Sequence, residues 1–169
     1  MRKTLDLLYS SAAALAALFL VGVLVMVLLS ILGRLLGFHV PGTDAYAGYL
    51  MAGSGFLALA HTLKRGEHIR VTLLLNALKG RANKALEIWA LAAATALALV
   101  LAIFSIRLAY QSHVLHDIST GNDATPLWIP QLAMAFGTLV LAIAFVDDLV
   151  LECLHKRKRP DTGEQLRNE

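Results

Sequence analysis

Ser10–Gly33 reads SSAAALAALFLVGVLVMVLLSILG, 24 residues without one charged side chain. As an α-helix, such a run is about 36 Å long, enough to cross roughly 30 Å of hydrocarbon. It is the clearest of four apolar blocks, which predict spans over residues 8–36, 46–63, 85–112 and 128–154. The chain as a whole is 57% hydrophobic and 16% charged, outside the range of soluble domains at about 45–50% and about 25%. The predicted fold is therefore an all-α membrane protein. Residues 1–155 make a single four-helix transmembrane domain, and 156–169 a basic tail.

The charges between the blocks give a direction. Arg2 and Lys3 precede the first block. Lys64, Arg65, Arg70, Lys79, Arg81 and Lys84 separate the second from the third, and Lys156, Arg157, Lys158, Arg159 and Arg167 follow the fourth. Only Arg34 and Arg107 fall on the other side, near span ends where they can snorkel outward. Lysine and arginine favour the cytoplasmic face, so both termini are expected inside. The first block exceeds the usual 7–15 residues of a signal-peptide core, and no A-x-A-like site follows, so it is read as a retained span. The net charge of +3 comes from residues flanking apolar spans and predicts no nucleic-acid partner. Cys153 is the sole cysteine, which rules out an intrachain disulfide.

Local signals fit the same frame. "HVPGTDAY" is a short outer turn in which Pro41-Gly42 reverses the chain and Asp44 is placed to cap the second helix. Pro126 and Pro130 bracket the start of the fourth, where a first turn tolerates proline. Gly48, Ala52 and Gly55 share one face of the second helix and let another helix approach, either within this chain or from a partner.

The span centres exclude several functions. They carry only Ser54, Thr95 and Thr138 as polar side chains, groups that can bond to backbone within their own helix. Conduits for polar solutes place ionisable groups or broken helices near the midplane. An accessory or scaffold role is expected instead, and no nucleophile–base set or phosphate-binding loop argues for an enzyme. Near the fourth span's inner end, Asp147, Asp148 and Glu152 are candidates for ion pairing. Asp148, Glu152 and Lys156 fall on one stripe, read either as a solvated surface or as partner for cations. His113, His116 and Asp117 could form one edge of a metal site, but further ligands are lacking. His61 and His113 lie at opposite membrane faces and cannot clamp one haem, which disfavours the alternative reading, a membrane anchor of a respiratory redox enzyme.

Between the second and third spans stands "KRGEHIRVTLLLNALKG". On a helical wheel Arg65, His68, Thr72, Asn76, Lys79 and Asn83 share a narrow stripe opposite a broad leucine arc. Such a segment can lie in the cytoplasmic interface with its basic groups toward lipid phosphate. Arg70 points from within the apolar arc, either snorkelling or meeting an anion.

This stretch, with "LALAHTLKRGEHIRVTLLL" as its full extent, resembles the signature of the small membrane (Q, DctQ-like) subunit of TRAP transporters. These are the tripartite ATP-independent periplasmic systems. The matching positions are Arg65, Gly66, His68, Ile69, Arg70 and Val71, with Thr72 where the pattern often has an acid. "GNDATPLWIPQLAMAFG" resembles the family's approach to the fourth span through Pro130 and Gly137. Asp44 matches an acidic position at the start of the second. The resemblance implies assembly with a large multi-spanning permease subunit that carries substrate and sodium sites, and with a periplasmic substrate-binding protein. It further implies a bacterial inner-membrane location and sodium-driven uptake of an organic acid, with no cofactor in this subunit. The motif residues 65–71 then become an expected partner or lipid interface. His113, His116, Asp117 and Asp123 become expected contacts for the periplasmic protein.

Overall fold

The computed structural model describes residues 2–38, 40–65 and 81–154, with backbone alone at 2, 3 and 81–83. The described residues are all-helical apart from their connections. The elements are α1 (Arg2–Leu36), α2 (Thr43–Arg65), α3 (Arg81–Val114) and α4 (Trp128–Cys153). Each of the four expected apolar blocks is a helix. The segment between α2 and α3 expected at the membrane interface, with Gly66, His68, Ile69, Arg70 and Val71, lies outside the described residues, as does the tail 156–169.

Three helices, α1, α3 and α4, are long and apolar enough to cross a membrane. The 23 residues of α2 rise about 35 Å, but tyrosines and a lysine near its ends dilute its apolar character. Those groups are engaged by neighbours, because α2 is flanked on both sides. α1 packs on α2, α2 on α4, and α4 on α3, with a slight α1–α4 contact. Among the described residues α3 meets neither α1 nor α2. The helices thus form an open row, α1–α2–α4–α3.

The buried side chains are small and the exposed ones large. Ala12, Ala16, Ala60, Ala98, Ala102, Ala109, Ala135, Ala142 and Ala144 make up most of the buried apolar set. Leu24, Val25, Leu97, Ile103 and Phe104 point outward. A soluble protein would do the reverse, to remove large apolar surface from water. In lipid that drive between helices is absent, and small residues win because they allow backbones to approach. On α3 the buried face runs Leu91, Thr95, Ala98, Ala102, Ser105, Ala109, Ser112, a strict alternation of four and three. That period lines one seam against a neighbouring helix.

Two glycines set the closest approaches. A Cβ on Gly137 would lie 2.6 Å from the Phe56 carbonyl group, so α4 touches the α2 backbone there. A Cβ on Gly53 would meet the Phe19 ring at 2.7 Å and Ala133 at 3.2 Å, where α1, α2 and α4 converge. The stripe of Gly48, Ala52 and Gly55 is exposed, with open space beside both glycines, so among the described residues no helix of this chain packs on it. The packed face of α2 is Gly53, Leu57, Ala60 and Leu63. The polar centres behave as expected: Thr95 donates to Leu91 O at 2.7 Å, and Thr138 to Met134 O at 2.9 Å.

Asp44 does not cap α2. The Gly42 carbonyl accepts the first helical bond, from Tyr46 N at 3.0 Å, which puts the cap at Gly42. Asp44 stands inside the first turn, exposed, where its charge still complements the helix dipole. α1 ends on Gly37 at φ +74, with Phe38 N bonded to Gly33 O at 3.0 Å. This is the glycine-dependent closure that satisfies a last-turn carbonyl.

Candidate functional site

Both ends of the row tie α2 to the α4 side of the molecule, by different chemistry. At the end holding the α2 C-terminus, Lys64 is ion-paired with Asp147 and with Asp148, the latter at 2.7 Å. Its ammonium also lies 5.3 Å from the ring centroid of Tyr9 on α1, within reach of a cation–π attraction. The Lys64 side chain is 22% exposed and that of Asp148 9%, so the pair is largely withdrawn from solvent. Glu152 is buried one turn further along α4. One lysine thus joins three helices, since its stem lies on α2, its carboxylates on α4 and its aromatic neighbour on α1.

At the other end, the 115–127 connection folds back over α2. Asp117 O accepts Leu127 N at 3.0 Å, and Thr125 O accepts Ser119 N at 2.9 Å. An isolated bridge pairs Ile118 with Pro126. The node is Asp123. The Ser119 hydroxyl donates to Asp123 Oδ1 at 2.8 Å, and the Tyr49 hydroxyl reaches Asp123 Oδ2 at 3.1 Å and Ser119 Oγ at 2.9 Å. Thr125 donates to Tyr46 Oη at 3.1 Å, and the two tyrosine rings meet edge-on at 6.2 Å. Partial desolvation pushes the Asp123 carboxyl up, but hydrogen bonds from Ser119, Thr125, its own backbone and Tyr49 outweigh it and hold the pKa at about 2. Hydrogen bonds to the ionised form favour that form. Gly42 and Gly121 leave the room this needs: a Cβ would stand 2.8 Å from Asp123 Cβ and 2.7 Å from its Oδ1, respectively.

Among the described residues no three His, Cys, Asp or Glu side chains converge as a metal site. What both ends offer is a fixed shape at the margins of an apolar body.

Residues 23–154 match the protein family described as tripartite ATP-independent periplasmic transporters, DctQ component. The chain belongs to the DctQ family. It is thus a small membrane component of a TRAP transporter, a family of transport components rather than enzymes. No match was found among curated proteins or solved structures. The redox-anchor alternative finds no support in this family.

The DctQ match runs across the stretch containing the resembling motifs, and the structure places those residues unevenly. Arg65 is exposed at the last position of α2; Gly66, His68, Ile69, Arg70 and Val71 lie outside the described residues. Pro130 sits in the first turn of α4 and Gly137 at the α2 contact. Asp147 and Asp148 come together on Lys64, while His113 lies in the last turn of α3 and Asp117 in the 115–127 connection. His113 packs edge-on against Trp128 at 5.2 Å, and His116 adopts φ +53 in the turn beyond α3. Asp123 faces Tyr49 and Ser119, with no histidine among its bonding partners.

The predicted second span stops at residue 63 and leaves Lys64 in the charged connection; the structure instead keeps Lys64 within the last turn of α2, where it pairs with two carboxylates. The available signal was Lys64 as the first cation after an apolar run, with adjacent acids near the end of another span. Tyr9, Tyr49, Gly53 and Ser119 were not singled out at all. Tyr49 had a usable signal, lying three residues after Tyr46 on one helix face.

Proposed function

We propose that this DctQ subunit is a four-span, N-in and C-in scaffold of a bacterial inner-membrane TRAP system. The observation that carries the proposal is the family match over residues 23–154. The distribution of polarity supports it, because ionisable groups sit at helix ends while the mid-helix hydroxyls Thr95 and Thr138 bond to backbone. In this reading α2 crosses with α1, α3 and α4, and the 115–127 connection faces the periplasm. The subunit would hold a large permease subunit beside it, and sodium-coupled uptake of an organic acid would proceed in that partner. The open row favours such a role, since α1 and α3 keep broad apolar faces for lipid or partner helices.

The residues 65–71 would then contact the permease or cytoplasmic lipid headgroups, and His113, His116, Asp117 and Asp123 would lie where the substrate-binding protein docks. Affinity purification of the tagged chain from its native membrane tests the proposal. The expected product is a colourless complex with a large multi-spanning subunit, and Arg70→Ala is expected to weaken it. A haem absorption band with cytosolic catalytic subunits would overturn the reading. So would solute conduction by this chain alone in liposomes.

A further inference from the structure

At the end bearing the 115–127 connection, a cleft of 470 Å³ opens between the end of α1, the start of α2 and the tip of that connection. Its walls include Ser30, Arg34, Phe38, Thr43, Asp44 and Asn122. The volume falls in the range of small-ligand sites, about 300–1,000 Å³. Glycine keeps it open, for Gly33, Gly37 and Gly42 all line it. At Gly33 a Cβ would press on the Phe38 carbonyl oxygen at 2.7 Å, and Gly37 and Gly42 hold φ +74 and +80.

Arg34 and Asp44 carry opposite charges in this one cleft, yet neither has a hydrogen bond or ion pair among the described residues. The helix dipoles account for each sign, a cation at the α1 C-terminus and an anion at the α2 N-terminus. They do not account for two unpaired charges lining one cavity. On the turns of α1 that lead up to Arg34, Val27, Leu28, Ile31 and Leu32 are exposed along a span-length apolar helix. Apolar surface below and a dipolar cavity above match a molecule with acyl chains and a zwitterionic head.

We propose that this cleft binds the headgroup of a membrane phospholipid that carries a primary ammonium. The Arg34 guanidinium takes the phosphate, a planar donor fork suited to its oxygens. The Asp44 carboxylate takes the ammonium. The acyl chains run down the leucines of α1. The inference rests on the proposed crossing of α1 and α2, but not on which side of the membrane the cleft faces.

The test uses the full chain, reconstituted in nanodiscs of phosphatidylethanolamine and phosphatidylglycerol in equal parts, then released for native mass spectrometry of retained lipid. The intact protein is expected to retain phosphatidylethanolamine in preference. Asp44→Asn is expected to cut that preference about tenfold, the effect of losing one charge-assisted contact. Arg34→Gln is expected to lower retention of both lipids, and Arg34→Lys to restore part of it. The preference ratio separates this from a merely structural role, which would lower stability without changing it. An unchanged ratio in Asp44→Asn, or unchanged retention in Arg34→Gln, would overturn the proposal. Free phosphoethanolamine binding as well as the lipid would overturn the lipid assignment. Carbonate extraction distinguishes the underlying premise: release from membranes would sink the spanning reading, while a retained chain with no lipid preference would sink only the site.

Discussion

The two ends of the helix row solve one problem twice. Each must fasten α2 to the α4 side of the molecule where the apolar seam gives out. The Lys64 end uses charge: one ammonium set between two carboxylates, with little exposure on the Asp148 side. The Asp123 end uses hydrogen bonds, with two hydroxyls converging on one carboxylate and glycines at 42 and 121 making space. Withdrawn charges depend on each other, because removing one partner strands the rest in a medium that solvates them poorly. A hydrogen-bonded carboxylate near water loses less, since water can replace a missing donor. The first end should therefore be brittle and the second forgiving.

Lys64→Met gives the sharpest test of that contrast. It leaves Asp147 and Asp148 without their shared cation and is expected to cost about 3–5 kcal/mol, as for a broken buried pair. Adding Asp147→Asn and Asp148→Asn should recover most of the loss. Thermal unfolding in detergent measures both. If Lys64→Met unfolds like the parent, the pair is energetically a surface ion pair and the contrast between the ends collapses.

Between the ends lies the seam itself, and it supplies a reference for both. Gly137→Ala forces a Cβ against the α2 backbone, 2.6 Å from Phe56 C and O, and is expected to destabilise by about 1–3 kcal/mol. Gly48→Ala, which meets open space, should be neutral or stabilise by about 0.5–1 kcal/mol through reduced backbone freedom. Equal effects at the two positions would mean that α2 and α4 do not touch as described.

The same contrast explains what could be read from sequence. The helices were legible because uninterrupted apolar length is a local property, and 24 uncharged residues from Ser10 to Gly33 have few alternatives in lipid. The α3 seam was written in the sequence too, as Thr95, Ala98, Ala102, Ser105, Ala109 and Ser112. It was hard to see because alanine scores as apolar whether it faces lipid or protein. The fastenings are another matter. Lys64 and Asp148 lie 84 positions apart, and Tyr49 and Asp123 lie 74 apart. Nothing local in either segment names the other. The acids of α4 could be marked as needing a cation, but which cation required the order of helices in the row. The Asp44 cap failed for a local reason: the glycine two positions earlier could take the capping role through its backbone alone.

At the forgiving end, Tyr49→Phe removes a hydroxyl that donates toward Asp123 and Ser119. Ser119 still donates to the carboxylate, so the expected cost is about 1–2 kcal/mol, near that of a single bond to a charged group. The loss should be local. Hydrogen exchange at the Ser119 and Leu127 amides, which bond to Thr125 O and Asp117 O, should quicken while α4 amides stay protected. Global unfolding at a lower temperature, of the size seen for Lys64→Met, would erase the distinction between the ends.

The smallest expected effect is also the most specific, because it depends on proton binding. Asp123 has a folded pKa of about 2 against an ordinary value of 3.8. A carboxyl held below its unfolded value adds stability that is fully present above about pH 4. That increment is lost progressively as the pH falls toward 2, where the folded form too takes up its proton. The 115–127 connection should therefore loosen in acid over that window and be indifferent to pH from 5 to 8 through this group. Trp128, which packs against His113, reports on the junction by its fluorescence. Asp123→Asn should flatten the dependence between pH 4 and 2, since the amide has no proton to gain, and should hold the signal near its acid value at neutral pH, since it lacks the ionised form that the hydrogen bonds favour. A profile of the same shape in Asp123→Asn would assign the acid sensitivity to other groups and would remove Asp123 from the centre of that end.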